Sequence, residues 1–403
     1  MKKKSRERIM MAINHKETDR IPIDFGGTSV TGISALAYKR LLNKLGIKEE
    51  IKVFDVMQQI AIVSDDVKIR FKSNVDILYR PRPRFNIPIY KNWYKIRMQK
   101  DLECFVPEDF TPIEDKDELI IKQGSIILAK KVKGSSWFNE IYHPLSDIND
   151  IEGLRTYKLP HYSSEDLQYL STMSKKIREN SNRAITGTIG KEIASSLFES
   201  GQALRGTEKF LMDMLINESY TNYLLDLLLE NFKKNFDLFY NVVGENIDIL
   251  KLTDDLGSQE NLIISPDTFR AVFKPRLKEM IKYVKNKSSY KIFFHSDGAI
   301  YSIIPDLIEI GVDILNPVQV TARGMDINKI KKIFGKDITL WGGVIDNQRL
   351  MAMSLKEIED QIKRRVEILA PGGGFVFSTV HNILEETSPE KIIKIFDTIN
   401  NLF

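Results

Sequence analysis

Lys291-Ile292-Phe293-Phe294-His295-Ser296-Asp297-Gly298 is a short apolar run that stops abruptly in polar residues, and the same pattern recurs along the second half of the chain. Ile249-Leu250-Lys251-Leu252 runs into Thr253-Asp254-Asp255-Leu256-Gly257-Ser258-Gln259, and Ile314-Leu315 into Asn316-Pro317-Val318-Gln319. Leu340-Trp341 runs into Gly342-Gly343-Val344-Ile345-Asp346, and Val376-Phe377 into Ser378-Thr379-Val380-His381-Asn382. Short apolar runs of this kind, separated by longer segments of helical period, are the signature of alternating strands and helices around a parallel sheet. Strands are expected near residues 184–188, 248–253, 291–295, 312–316, 338–341 and 375–378. Helices are expected over 207–243, 266–286, 300–310, 326–334, 354–369 and 388–402. Ser265-Pro266 and Ser388-Pro389 each place an N-capping serine before a proline at the first helical position.

Two further apolar runs, 21–25 and 75–79, bring the expected strands to eight. Eight strands with helices between them favour an α/β fold of the (β/α)8 TIM-barrel type over an open doubly wound sheet. No G-x-G-x-x-G follows the first strand and no phosphate-binding P-loop is present, which argues in the same direction. Between about 81 and 160 the pattern changes to alternating runs that read as antiparallel strands. This stretch is expected to be a β-rich insertion capping one single barrel domain over 1–403.

Composition narrows the function classes. The chain has 403 residues, 42% of them hydrophobic and 28% charged, as in a soluble globular protein with a large core. Lys and Arg total 59 against 55 Asp and Glu, a net charge of only +4, so nothing calls for a nucleic-acid or anionic membrane partner. The single cysteine, Cys104, permits no internal disulfide and suits a reducing, cytoplasmic setting. The basic N-terminus leads into an apolar run too short for a signal peptide, and reads instead as an amphipathic helix capped by Ser5. A homodimer is left open.

In a barrel the C-terminal strand ends carry the chemistry, so five successive polar strand ends describe the rim of an active site. His295 and Asp297 are two apart and can point the same way. With His381 they could bind Zn²⁺ at about 2.0–2.2 Å. The same pair could do acid–base work or bind substrate, and a hydrogen bond that merely ties a loop is the plain structural alternative. Asp254 and Asp255 could attract a cation, or one could cap a helix while the other faces solvent. Asn316, Gln319, Gln259 and Asp346 are candidates to orient a polar ligand. Gly343 either lets a ligand approach the backbone or simply makes a tight turn.

Taken in order, Asp19-Arg20-Ile21-Pro22, Leu204-Arg205-Gly206, Asp254-Asp255-Leu256-Gly257-Ser258-Gln259, Phe294-His295-Ser296-Asp297-Gly298, Gly342-Gly343-Val344, Pro371-Gly372-Gly373-Gly374-Phe375 and His381-Asn382-Ile383 resemble the uroporphyrinogen decarboxylase superfamily over nearly the whole chain. The resemblance implies a (β/α)8 barrel and one of two activities: cofactor-free decarboxylation of a porphyrinogen, or methyl transfer to or from a corrinoid protein. The decarboxylases carry arginines that grip the porphyrinogen carboxylates just after the first strand. Here Asp24-Phe25-Gly26-Gly27-Thr28-Ser29-Val30-Thr31 has none. The chain is more similar to the methyltransferase branch, whose thiol-methylating members bind zinc through a His-x-Cys pair and a later Cys. His295 matches that His, Asp297 stands in place of the first Cys, and His381 falls where the last Cys would be. An N/O ligand set is harder than a thiolate set, which implies an enzyme that activates the methyl donor. The expected function is therefore methyl transfer between a small O-, N- or S-methyl compound and a corrinoid carried by a partner protein, with zinc assisting. A cofactor-free decarboxylase of a small or tetrapyrrole carboxylic acid is the alternative, and a non-catalytic binding protein is the third.

Overall fold

The computed structural model describes residues 4–132, 135–190 and 195–402. Residues 1–3 of the basic start lie outside the described residues.

Seven strands form one parallel sheet: Val75–Leu78, Ala184–Thr188, Ile249–Thr253, Lys291–His295, Ile314–Asn316, Thr339–Trp341 and Phe375–Val376. Each pairs with the next in chain order, and each connection carries helix, as parallel neighbours require. The sheet curls until both edges meet the same stretch of chain. Asn74 N donates to Ile23 O at 2.7 Å, while Phe377 N donates to Pro22 O and Asp24 N to Phe377 O, each at 2.8 Å. The expected eighth strand at 21–25 is thus reduced to a single bridge, Ile23 opposite Phe377. Pro22 has no N–H to offer a ladder. The Asp24 side chain turns inward, accepting from Gly27 N at 2.7 Å and Trp341 Nε1 at 2.9 Å.

The core divides into two. The larger part lies between the sheet and its surrounding helices. The smaller takes one residue from each strand: Val75, Ala184, Ile249, Phe293, Ile314, Trp341 and Val376, packed together on the concave face. The helix Ser5–Ile13 plugs this layer from below with Ile9, Ala12 and Ile13. The helix begins one residue earlier than the cap reading required. Ser5 is its first helical residue, and Lys4 at the N-cap makes no side-chain bond. The Ser5 hydroxyl accepts from Asn74 Nδ2 at 3.0 Å instead.

Side chains on a strand alternate faces, so the residues two beyond this apolar layer also look inward. Five of these seven are polar, Thr186, Lys251, His295, Asn316 and Ser378; the other two are Ile77 and Gly343. This register lifts a polar layer above the apolar one and places it at the C-terminal ends of the strands.

Between 93 and 140 the chain forms an antiparallel pair, Trp93–Gln99 with Leu102–Pro107. A four-stranded antiparallel sheet follows, built from Ile113–Asp115, Glu118–Gln123, Ile126–Val132 and Asn139–Glu140. This segment meets the loop after the seventh strand where Ser136 Oγ donates to Glu385 Oε1 at 2.7 Å and Gln99 Nε2 to Glu385 Oε2 at 3.0 Å. The long helix expected over 207–243 is two, Thr207–Ile216 and Glu218–Val243, broken at Asn217. Ser265 and Ser388 cap as expected, accepting from Thr268 N at 3.0 Å and Lys391 N at 3.4 Å. Cys104 is buried, and burial pushes its thiol up to about 12. Among the described residues no helix is long and apolar enough to cross a membrane.

Candidate functional site

Strand register assembles the site. Thr253 lies opposite His295, and His295 opposite Asn316, on three neighbouring strands. The loops that follow them therefore meet above the polar layer.

His295 is buried, and its ring is fixed from one side. Nδ1 lies 2.7 Å from Asn316 Oδ1, and Asn316 Nδ2 donates to Trp341 O at 2.9 Å. The second bond fixes the amide so that Oδ1 faces the imidazole. Nδ1 must then carry the proton, leaving the Nε2 lone pair directed into the site. Burial, reinforced by the charge on Lys251, lowers the His295 pKa to about 4, so the ring is neutral. Nε2 lies 3.8 Å from Asp297 Oδ2 and 3.8 Å from Asp255 Oδ1.

Asp297 is half-buried, yet its Oδ1 is sealed from solvent and has no hydrogen-bond partner. Burial first, and then the neighbouring Asp255 carboxylate, raise its pKa to about 6. The His381 ring centroid is 5.7 Å from that of His295. One ligand atom each from His295, Asp297 and His381 lies within 4.8 Å of the others. His381 also walls a cavity of about 120 Å³, together with Gln58, Gln99, Ser136, Trp137 and Glu385.

The other expected site residues divide by what their side chains touch. Asp255 accepts from Asp297 N at 2.9 Å and stays partly open to solvent. Asp254 is fully buried. Its oxygens accept from Leu197 N at 3.1 Å and Glu199 N at 3.0 Å, at the start of the helix Phe198–Arg205. Burial first, and then the neighbouring Glu199, push its carboxyl well above the usual carboxylate range, and these amide bonds make Asp254 a support for the start of that helix. Gln319 Oε1 accepts from Gly298 N at 2.6 Å. Asp346 Oδ1 accepts from Gln348 N at 2.9 Å, and Oδ2 from the Thr321 hydroxyl. Gly343 sits at φ +87°, and a Cβ there would come within 2.9 Å of Val318 Cβ. Its lack of a side chain thus serves a tight turn. Gln259 is exposed on the outer loop.

Gly298 holds the turn that carries Asp297. Its φ is +88°, and an added Cβ would lie 2.3 Å from the Gly257 carbonyl carbon. Left-handed backbone plus contact with another main chain leaves no room to adjust. Gly298→Ala is expected to cost at least about 2 kcal/mol in urea unfolding and to displace Asp297. A variant with unchanged midpoint would show that the loop adapts.

Two residues reach the site without having been read from the sequence. Lys251 stands on the inner face of its strand, 5% exposed. Burial, then the charge of Arg80, lowers its pKa to about 8. Glu199, bonded by Thr253 Oγ1 at 2.9 Å, is raised to about 7 by burial and then by Asp255. Lys251 carried a signal, being the one charge in Ile249-Leu250-Lys251-Leu252. Glu199 carried none, because the start of its helix is brought in by distant contacts.

A parallel sheet curled around an apolar plug, with a His, Asp, His group at its C-terminal rim, defines the class as a barrel-type enzyme. The family description "Uroporphyrinogen decarboxylase (URO-D)" matches residues 137–402, and the chain belongs to that family. Among solved structures it is similar to a methyltransferase from Methanosarcina mazei, at 15% identity and a TM-score of 0.59 over 98% of each chain. At that identity the likeness speaks to the fold. No curated protein sequence matches the chain.

Proposed function

We propose that this protein is a methyltransferase, moving a methyl group between a small O-, N- or S-methyl compound and a corrinoid carried by a separate protein. In this reading the chain is a single (β/α)8 barrel, residues 22–24 supply the eighth staves, and the segment 81–160 lies across the mouth.

The observation that carries the proposal is the ligand group. His295 offers a neutral Nε2 lone pair, Asp297 offers a sealed oxygen with no protein partner, and His381 completes a set within 4.8 Å. A buried carboxylate oxygen left unpaired is costly unless something positive meets it. Three mixed N/O ligands with an open side fit catalytic zinc. Zinc held there would supply Lewis acidity toward the heteroatom that leaves the methyl group. Asn316 orients His295, Asp255 holds the Asp297 backbone, and Gln319 holds the turn beneath it. Asp254 sets the helix that presents Glu199. Asp346 and Gly343 shape the adjoining loop, while Asp255 and Gln259 remain open toward an incoming donor.

Outer partners of metal-bound histidines tune affinity through ring orientation. Asn316→Ala frees His295 Nδ1, so zinc affinity is expected to fall by about 10–100-fold, read by competition with a chromogenic chelator. Unchanged affinity would mean that the ring is held by packing alone.

Cofactor-free decarboxylation of a carboxylic acid is the second reading. Lys251, a buried cation at the rim, favours it. The deciding experiment supplies purified protein with a reduced corrinoid protein and a panel of O-, N- and S-methyl donors, before and after exhaustive chelation. Demethylation lost on chelation supports methyl transfer. Absence of demethylation across the panel would overturn it, and carbon dioxide release from acids after chelation would install the decarboxylase reading.

A further inference from the structure

Lys251 is out of place by the rules of its fold. Inner faces of such sheets are filled by branched apolar side chains, yet here an ammonium stands one step above Ile249 with only 5% of its residue exposed. Lysine has three N–H donors. One reaches Ser29 Oγ at 3.0 Å. Among the described residues no carboxylate lies within ion-pair distance of it, although Glu199 and Asp255 are near enough for their charges to act on it. A buried cation with unspent donors is expensive unless an acceptor arrives. Its charge is also felt at His295, Asp297 and His381, so it shares their space.

We propose that Lys251 anchors the anionic group of the substrate, so that the small methylated compound taken by this site is a carboxylic acid. The ammonium supplies a point charge and two donors to one carboxylate oxygen pair, with the Ser29 hydroxyl beside it. The methyl-bearing end then lies toward His295, Asp297 and His381. A singly charged group is favoured over phosphate, because Glu199 and Asp255 add negative charge that a dianion would meet at close range. The methyl group in this assignment rests on the methyltransferase reading; the anchor does not.

The test is calorimetric titration of the whole protein with benzoate and para-methoxybenzoate, against benzamide and para-methoxybenzyl alcohol as neutral counterparts. Wild type is expected to bind the carboxylates at least about tenfold more tightly than the neutral compounds. Lys251→Met should weaken carboxylate binding by about tenfold or more and leave binding of the neutral compounds unchanged. Lys251→Arg should restore part of the loss. Lys251→Met removes a buried charge in favour of an apolar chain of similar length, so it is expected to fold. Carboxylates and neutral compounds binding alike to wild type would overturn the anchor, as would a Lys251→Met variant that keeps full carboxylate affinity. Carboxylate binding, together with no demethylation across the O-, N- and S-methyl panel, would support the anchor and remove the methyltransferase reading alone.

Discussion

His295→Ala is expected to be purified with almost no bound metal, and wild type with close to one zinc per chain. The imidazole is neutral because burial lowers its pKa to about 4. Its Nδ1 proton is committed to Asn316 at 2.7 Å, so Nε2 is available as a ligand without losing a proton. Removing it leaves Asp297 and His381, and two protein ligands fall short of the three usual in a catalytic zinc site. Loss of a direct ligand should exceed the 10–100-fold penalty typical of an outer partner. Methyl transfer should fall by at least about 10²-fold. Elemental analysis of both proteins, prepared without added metal, reads the result. Circular dichroism of the variant checks that the sheet is intact, since His295 closes its strand and takes part in no apolar packing layer. Equal zinc in both proteins would move the ion elsewhere, and zinc in neither would leave His295 and Asp297 to acid–base work.

Arg205→Ala is expected to destabilise the chain by about 3–5 kcal/mol, with little direct effect on metal content. Arg205 is 3% exposed and lies in the Leu204-Arg205-Gly206 stretch that resembles the family. Its Nε donates to Asp213 Oδ2 at 2.7 Å. Nη1 donates to Leu145 O at 2.7 Å and Ile148 O at 2.8 Å, and Nη2 to Asn149 Oδ1 at 3.0 Å. The guanidinium also stacks 4.7 Å from the Tyr220 ring centroid. One side chain thus ties the segment 145–149 to the helices at Phe198–Arg205 and Thr207–Ile216. Alanine would leave the buried Asp213 carboxylate and the Ile148 carbonyl without the donor they have now, which is the costly half of a broken ion pair. Urea unfolding of both proteins measures the loss. A change below about 1 kcal/mol would show that water replaces the guanidinium and that the pair behaves as an exposed one.

The seven paired strands were legible because each is a short apolar run flanked by a helix signal, and local chemistry decides such runs. Ala184–Thr188 and Lys291–His295 have the bounds that the sequence predicts, and the others differ only at their ends. The group His295, Asp297, His381 was legible too, because strand alternation puts His295 and Asp297 on one face and His381 follows the last strand, at the same end of the sheet. The eighth strand was misjudged, since an apolar run at 21–25 says nothing about whether a proline and an inward-turned aspartate will let a ladder form. The break at Asn217 was missed because apolar period continues through it.

What the sequence determined by itself was the order of strands and helices and the identity of the polar strand ends, because both follow from period and from local capping. What the tertiary structure alone decided was which polar groups are already spent. Asp254 and Asp255 are neighbours in sequence, yet one is buried under the amides of a helix that begins at Phe198 and the other faces His295. Asn316 became a bracket for an imidazole, and Lys251 and Glu199 joined the site, only once strands were in register. Burial, charge and hydrogen-bond satisfaction depend on residues far apart in the chain, and no local pattern encodes which of two adjacent carboxylates will find a partner there.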